Sequence, residues 1–313
     1  MNIFRFPSPE PSPEDRLHRE ARDWLVLLTS GQATAADARA LRQWCAQSAE
    51  HAQAFERSKV LWHALKPATE ALQAPRHLGR RAFLGGAVAA SAALFLVRYT
   101  VPGGFSGIGA DYITEVGEQR RFDLGDGVSL ELNTQTRISR RELAGGGQGI
   151  ELLSGEVEVL ARQTTPLKVQ AGAGWLSASQ ARFNLRNTDQ SVCVTCLDGA
   201  LQVDVQGQRI RLESGQQLTY SAQHVSAPQT VDTSAVIAWR QQVLVFNDAT
   251  LSQVIDEINR YRPGMLLLLN PELGKRKVQA RFSLDQLAGV ALLIRDAYGA
   301  TCTELPGGVV VLS

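Results

Sequence analysis

The feature that most constrains this chain is an apolar stretch of about 20 residues, which at 1.5 Å per residue covers about 30 Å, the thickness of a hydrocarbon core. The stretch runs from Ala82 to Val101, and Arg98 is its one charged residue. The Arg98 side chain must extend to the headgroups. Pro102 and Gly103 follow at once, and no polar face is present. We therefore predict one transmembrane helix over 82–101, with a buried core helix as the alternative.

The charges beside this stretch predict its orientation. Arg76, Arg80 and Arg81 precede it within the basic linker 68–81, and after Arg98 the next basic residue is Arg120. Because positive charge is retained on the cytoplasmic side, the N-terminus is predicted to be cytoplasmic, with one pass through the membrane.

A second signal overlaps the start of the stretch. Arg80-Arg81-Ala82-Phe83-Leu84 has the form of a twin-arginine export motif, with Arg80, Arg81, Phe83 and Leu84 as its candidate residues. Ordinary flanking charge is one alternative, and a cleavable signal peptide ending near Ala90-Ser91-Ala92 is another. Replacing Arg80 and Arg81 by lysine and following export of the downstream region distinguishes a twin-arginine anchor from an ordinary one.

The region before the stretch is predicted to be helical. Residues 1–13 are rich in proline and are predicted to form a disordered arm. Apolar residues then recur at three- and four-residue steps through 14–67, which predicts a small bundle of three helices whose last helix is closed by Pro67. Its aromatic residues fit either a packed core or a surface for a partner helix. The candidate residues for either role are Trp24, Leu25, Trp44, His51, Phe55 and Trp62.

Residues 111–228 follow a period of two, which is typical of β-strands. Val157 and Val159 alternate with glutamates, and similar runs are separated by turn signals such as Ser154-Gly155 and Asp198-Gly199. This pattern predicts an all-β domain, either a sandwich, a roll or a solenoid-like stack.

Residues 243–313 follow a different pattern. A strand at 244–246 leads to a helix capped by Asn247 or Asp248, and a second strand–helix–strand round ends at 309–312. Two β-α-β units predict a small α/β domain. The whole chain is thus predicted to be a multidomain α + β protein.

The composition excludes several functions. The formal net charge is +1, which does not favour direct binding to nucleic acid; a helix-turn-helix is possible on helix count alone. No metal-ligand spacing, catalytic set or phosphate-binding loop is present, so we expect neither enzymatic activity nor a cofactor. Cys193 and Cys196 have the spacing of a redox motif but lie in a predicted strand. Pairing of either one with Cys302 stays open.

Several motifs together resemble the FecR family of transmembrane anti-sigma regulators. The helical part matches through Ala21-Arg22-Asp23-Trp24-Leu25 and a run from Trp44 to Phe55 that includes Ser48 and His51. The later motifs are Tyr112-Ile113-Thr114, Leu124-Gly125-Asp126-Gly127, Leu132-Asn133, Leu153-Ser154-Gly155-Glu156, Leu244-Val245-Phe246 and Glu257-Ile258-Asn259-Arg260-Tyr261. Their order around one predicted span makes the resemblance specific.

The resemblance implies a signal relay across a bacterial inner membrane, with the N-terminus cytoplasmic and the C-terminus periplasmic. The cytoplasmic helices would bind an extracytoplasmic-function sigma factor. The periplasmic part would receive the signalling domain of a TonB-dependent outer-membrane receptor for siderophores, and membrane-embedded and periplasmic proteases would release the cytoplasmic fragment. The last domain is similar to the secretin/TonB short N-terminal fold, which offers a β-edge for pairing. Its candidate receptor contacts are Phe246, Glu257, Asn259, Arg260 and Tyr261. The alternative is a membrane-anchored envelope structural or assembly protein.

The chain departs from the resemblance at one position, and this gives a first prediction. Some members of the family cleave themselves at a Gly-Thr pair through the threonine hydroxyl, and the matching pair here is Gln180-Ala181. Because Ala181 has no hydroxyl, we expect no acyl shift at this bond. Mass spectrometry of the purified full-length chain should show an intact Gln180-Ala181 bond, and a split there would contradict the prediction.

Overall fold

The structure, a computed structural model, describes residues 13–29, 33, 35–72, 110–143, 148–188, 191–305 and 308–313. Three helices come first in this part of the chain. None of the helices in these ranges is long and apolar enough to cross a membrane. The predicted span over 82–101 and the twin-arginine residues Arg80, Arg81, Phe83 and Leu84 lie outside the described residues, as does the arm up to residue 12.

The elements follow in a simple order. The helices are α1 Pro13–Thr29, α2 Ala35–Ala46, α3 Ala49–Leu72, α4 Thr233–Val236, α5 Leu251–Ile258, α6 Pro271–Gly274 and α7 Val290–Tyr298, with 3₁₀ helices at Ala238–Gln241 and Leu284–Gly289. Ten strands precede α4: β1 Tyr112–Ile113, β2 Arg120–Gly125, β3 Val128–Leu132, β4 Arg137–Glu142, β5 Gln148–Ala171, β6 Gly174–Asn187, β7 Val192–Val205, β8 Gln208–Glu213, β9 Gln216–Tyr220 and β10 Gln229–Thr230. Five follow it: β11 Val243–Thr250, β12 Met265–Leu268, β13 Lys277–Ser283, β14 Cys302–Leu305 and β15 Val309–Leu312.

The first ten strands form one antiparallel sheet, which confirms the prediction of a large β domain. Its main path is β1-β4-β5-β6-β7-β9-β10, with β2, β3 and β8 paired beside it. The inward-facing residues include Val157, Phe183 and Val194, all fully buried in one apolar core. Burial of each such side chain stabilises the fold by about 1.5–3 kcal/mol.

Two predicted turns are wrong, because Ser154-Gly155 and Asp198-Gly199 lie inside the long strands β5 and β7. The pairing register shifts beside Ser154 and again beside Gly199, so each strand bends there and continues. A glycine signal marks a break in regular pairing, but it does not distinguish a bulge from a chain reversal.

The last part of the chain forms two small sheets. Strand β11 pairs antiparallel with β13, and β12 pairs in parallel with β15, whose other side pairs antiparallel with β14. The strand and helix order contains the two predicted β-α-β rounds, and β14 is an additional strand. The predicted cap at Asn247 or Asp248 is wrong, since Thr250 and Gln253 form a complete capping box at the start of α5.

The chain divides into two compact units. Among the described residues, one unit contains those up to residue 72 together with 264–271 and those from 295 onward, and the other contains those from 110 to 263 together with 272–294. The first unit holds the three helices, and α3 continues through Pro67 to Leu72, so Pro67 does not close it. Proline removes one backbone hydrogen bond of the ladder, and the remaining bonds carry the helix on.

The apolar core of the first unit draws on both ends of the chain. Leu25, Leu41 and Phe55 of the helices share it with Leu267 and Val311 of the three-stranded sheet. This core therefore contains residues from both sides of the predicted membrane span.

Two glycines give a matched test of the bend in β7. Gly199 and Gly207 have similar positive φ values of 75° and 73°, but a Cβ at Gly199 would collide with the Gln180 carbonyl oxygen, whereas nothing lies within 4 Å at Gly207. We expect Gly207→Ala to cost about 1 kcal/mol of stability through backbone strain. Gly199→Ala should cost about 2–4 kcal/mol because steric overlap adds to that strain. Thermal unfolding of the two purified variants measures the difference, and equal losses would contradict the close approach.

Candidate functional site

Four charged side chains form a largely buried chain, here called the Arg260 clasp, in which acidic and basic groups alternate: Glu156, Arg260, Glu257 and the partly exposed Arg186. Arg260 Nη1 donates hydrogen bonds to Glu156 Oε2 at 3.0 Å and to Glu257 Oε1 at 2.6 Å. Arg186 Nη2 lies 2.7 Å from Glu257 Oε2. The side chains of Arg260 and Glu257 are only 14% and 16% exposed, so their ion pair is shielded from water.

The backbone at the end of α5 is fixed to the same place. Thr134 Oγ1 and Gln135 Nε2 donate to the Arg260 carbonyl oxygen at 2.9 and 2.7 Å. Asn133 Nδ2 donates to the Tyr261 hydroxyl oxygen at 2.6 Å. The loop between β3 and β4 therefore binds both the main chain and the side chains that follow α5.

Glu156 is the residue of the large sheet to which the other clasp residues are joined through Arg260. It lies on β5 and is 4% exposed. Asn133 Nδ2 and Asn184 Nδ2 donate to its two carboxylate oxygens at 2.9 and 3.0 Å, in addition to the bond from Arg260. A buried carboxylate is tolerated when its oxygens are paired in this way.

A second ion pair, with a buried carboxylate and a partly exposed arginine, lies two residues further along β5. Arg240 Nη1 donates to both carboxylate oxygens of Glu158, at 2.9 and 3.1 Å, and Arg240 Nη2 lies 3.4 Å from Glu131 Oε2. Burial raises the pKa of Glu158, and Arg240 opposes that shift. Glu156 and Glu158, which are alternate residues of β5, thus hold the end of α5 and the 3₁₀ helix Ala238–Gln241, respectively.

The clasp keeps Glu257 ionised. Burial by itself would raise its pKa, but the positive charges of Arg186 and Arg260 outweigh burial and lower the pKa below the ordinary glutamate value. A carboxyl group with a lowered folded-state pKa stabilises the fold above its unfolded pKa of about 4.3, and this contribution is lost as pH falls through the folded pKa. The Glu257 contribution is therefore fully present at neutral pH.

The clasp explains three motifs that were recognised separately in the sequence. Asn133 belongs to the first motif, Glu156 to the second, and the residues from Glu257 to Tyr261 to the third. No spacing rule connects them, yet hydrogen bonds join all three. Arg186 and Arg240 carried no sequence signal, since an isolated arginine in a strand or loop is usually solvated.

The predicted receptor contacts lie in or near this site, and their role as contacts stays a prediction. Phe246, Asn259 and Tyr261 are each 7% exposed, and Glu257 and Arg260 are engaged within the chain. Burial raises the pKa of Tyr261, so its hydroxyl stays protonated. Contact with another protein through these side chains would require them first to leave their present partners.

A cleft of about 570 Å³, here called the β11 cleft, adjoins the clasp. Strands β6, β7 and β9 contribute Asn184, Cys193, Thr195 and Gln217. The facing side consists of α4, the 3₁₀ helix and all residues from Val243 to Ala249. Glu156, Glu257 and Tyr261 also line this cleft, which therefore has a polar end at the clasp and an apolar length along β11.

The helical unit presents a smaller groove, here called the Trp24 groove. It has a volume of about 340 Å³ and is lined by Glu20, Asp23, Trp24, Leu27 and Trp44. Trp44 Nε1 donates to Glu20 Oε2 at 2.9 Å, which fixes the indole with its ring edge toward the acidic side. The groove thus combines aromatic surface with two carboxylates.

The other candidate residues of the helices divide between core and surface. Leu25 and Phe55 are buried. His51 is half-buried, packs edge-on against Trp44 with ring centroids 4.9 Å apart, and shares a 2.8 Å hydrogen bond with Ser48. The side chain of Trp62 lies outside the described residues.

The cysteines take no part in a described redox or metal site. Cys45, Cys193, Cys196 and Cys302 are all free. Cys193 and Cys196 lie in β7, as the strand prediction requires. In the described ranges no group of three or more His, Cys, Asp or Glu residues is placed to hold a metal ion.

Comparison with known proteins supports the sequence motifs. Residues 110–202 match the family model described as FecR protein, and residues 19–61 match a domain of unknown function, DUF4880. The predicted resemblance to the FecR family is therefore confirmed. No curated protein matches the chain significantly.

Two crystal structures of a candidate anti-sigma factor from Parabacteroides distasonis ATCC 8503 share the fold. Their TM-scores are 0.56 and 0.55, at 22% and 21% identity. Each comparison covers 64% of this chain and 97% or 96% of the other. At this identity the similarity concerns the fold alone.

The clasp predicts a large difference between two arginine substitutions. Arg260→Met would leave the buried carboxylates of Glu156 and Glu257 without their shared cation, and we expect it to cost about 3–5 kcal/mol. Arg209→Met is the control, because Arg209 pairs with Asp204 at the surface with its side chain 77% exposed. Its loss should stay below about 1 kcal/mol. Urea unfolding of both variants measures the difference, and similar values would show that the clasp does not stabilise the fold.

Proposed function

We propose that this protein is an anti-sigma regulator that carries a signal across the inner membrane. Its helices bind an extracytoplasmic-function sigma factor, and the region after residue 110 responds to a periplasmic partner. The observation that carries the proposal is the order of the two family matches, a helical segment at 19–61 followed by the FecR match at 110–202. The anti-sigma description of the structurally similar protein supports it. We propose no enzymatic activity and no cofactor.

The Trp24 groove is the proposed binding surface for the sigma factor. Trp24 is half-buried and lines the groove together with the carboxylates Glu20 and Asp23. An aromatic surface with an acidic rim suits an amphipathic segment that carries lysine or arginine. The same carboxylates repel phosphate, which favours a protein partner over direct contact with nucleic acid.

The proposed signal comes from a TonB-dependent outer-membrane receptor that imports siderophores. Its signalling domain would contact the periplasmic region, and membrane-embedded and periplasmic proteases would then release the helices. We propose a secretin/TonB short N-terminal-like fold for residues 243–313, and the two strand–helix–strand rounds in that region support this proposal. The clasp would link that region to the large sheet.

Binding of the sigma factor gives a direct test of the groove. Trp24→Ala should weaken co-purification with the cognate sigma factor by about tenfold or more, since buried tryptophans contribute strongly to interfaces. Val26→Ala is the control on the same helix, because Val26 is 60% exposed and does not line the groove. Circular dichroism checks that both variants stay helical. Equal binding by both variants would exclude the groove, and absence of binding by the unaltered chain would overturn the anti-sigma role.

The proposed topology places two native thiols on opposite sides of the membrane. Cys45 lies in α2 and Cys302 in β14, and both side chains are half-buried. In cells with a permeabilised outer membrane, we expect a membrane-impermeant maleimide to modify Cys302 and leave Cys45 unmodified. Mass spectrometry of the two peptides measures the labelling, and disruption of the inner membrane should expose both thiols to the reagent.

The same experiment tests whether the helices and the strands that share the core of the first unit lie in one compartment. A membrane span at 82–101 would separate the helices from β12, β14 and β15, which pack together in that core. Equal labelling of Cys45 and Cys302 in intact spheroplasts would place both parts in one compartment and contradict the proposed topology.

A further inference from the structure

Strand β11 has an unpaired edge. Its pairing with β13 runs from Val243 to Thr250, and among the described strands it has no other partner. Alternate N–H and C=O groups of an antiparallel strand point away from its partner, so one side of β11 presents donors and acceptors without a strand to receive them.

The β11 cleft runs along this strand. Every residue from Val243 to Ala249 lines it, and Thr195 and Gln217 of the large sheet lie on the facing side. The volume of about 570 Å³ is within the range of about 300–1,000 Å³ that is usual for ligand sites. The cleft therefore provides space beside β11.

The edge lacks the usual protection against pairing. From Val243 to Phe246 it carries neither charge nor proline, the devices by which soluble proteins block exposed edges. The regular part ends at a bulge between Phe246 and Ala249, where Asp248 has a φ of 55°. The pairing length available is thus the four residues from Val243 to Phe246.

Two residues that line the cleft carry buried polar atoms without a hydrogen-bond partner. Asn184 Oδ1 is an acceptor and Trp239 Nε1 is a donor. Each unsatisfied buried group costs about 1–3 kcal/mol. Both atoms are closed to a water-sized probe, so they are not contacts for an entering segment, and the case for a polypeptide partner rests on the unpaired edge and the space beside it.

We propose that β11 accepts an extended segment of a partner polypeptide as an added strand within the β11 cleft. The segment pairs with Val243–Phe246 through main-chain hydrogen bonds and presents apolar or β-branched side chains toward the half-buried Val243 and Val245. The inference rests on the proposed function for the source of the segment, which is the signalling domain of the outer-membrane receptor.

Two variants of the full chain obstruct the cleft by different means. Val245→Lys places a charge on the strand edge, and Ala235→Trp fills the cleft from α4 without altering β11. Thr230→Lys is the matched control, because Thr230 is an exposed edge residue of β10 that does not line the cleft. Thermal unfolding identifies any variant that fails to fold.

Binding of the purified signalling domain to the full chain is measured by calorimetry. We expect both cleft variants to weaken binding by about tenfold or more, the effect of losing about 1.4 kcal/mol, while Thr230→Lys binds like the unaltered chain. Unchanged binding by the folded cleft variants would overturn the strand addition and leave the relay standing. Failure of the unaltered chain to bind would overturn the receptor relay and this inference with it.

Hydrogen exchange separates strand pairing from side-chain docking. Binding of the signalling domain should slow amide exchange within 243–246 in the unaltered chain, because added main-chain hydrogen bonds protect those amides. Protection confined to other segments would overturn the proposal even if the affinity depends on the cleft.

Discussion

The guanidinium of Arg260 holds the second compact unit together where the large sheet meets the end of α5. It donates to a carboxylate of the sheet, Glu156, and to a carboxylate of α5, Glu257. Both acids are removed from water, and their desolvation is offset only while the cation stays in place. Because such a network is costly when incomplete, the segment after α5 is restricted to one position on the sheet. Asn133 strengthens this restraint, because its side-chain amide donates hydrogen bonds to both Glu156 and Tyr261.

This restraint has a consequence for signalling. A partner that enters the β11 cleft would lie beside Glu156, Glu257 and Tyr261, which line its polar end. Main-chain pairing along β11 would supply binding energy close to the residues that fix α5. A shift of α5 by the width of one side chain would break several charged hydrogen bonds at once, and interfaces of this kind change between discrete arrangements instead of deforming continuously. In the proposed relay, the clasp would couple binding in the cleft to the large sheet.

Much of the fold follows from local patterns. The period-two alternation predicted β3 and the strand segments within β5 and β7, and the apolar run at Val309–Leu312 became β15 without change. The helical stripe around Leu25 and Phe55 predicted buried positions correctly. Local signals were less reliable for breaks: Gly155 and Gly199 lie in bulged strands, Pro67 lies within α3, and Thr250 begins α5 because its partner Gln253 lies three residues ahead. In these cases the position where a strand or helix begins, bends or ends depends on neighbouring residues, and the residue type alone does not specify it.

The sequence by itself determined which segments are helices and strands, the family resemblance, and the apolar character of 82–101, because these depend on residue type and on spacing along the chain. Only the tertiary structure decided what the polar residues do. Glu156 and Glu158 alternate with buried valines and would face water on a sheet with one covered face. The residues from Ala238 to Tyr261 cover that face, and both carboxylates are buried against arginines distant in sequence. A pairing across about a hundred residues leaves no periodic signal, since its cause is the position of one segment on another.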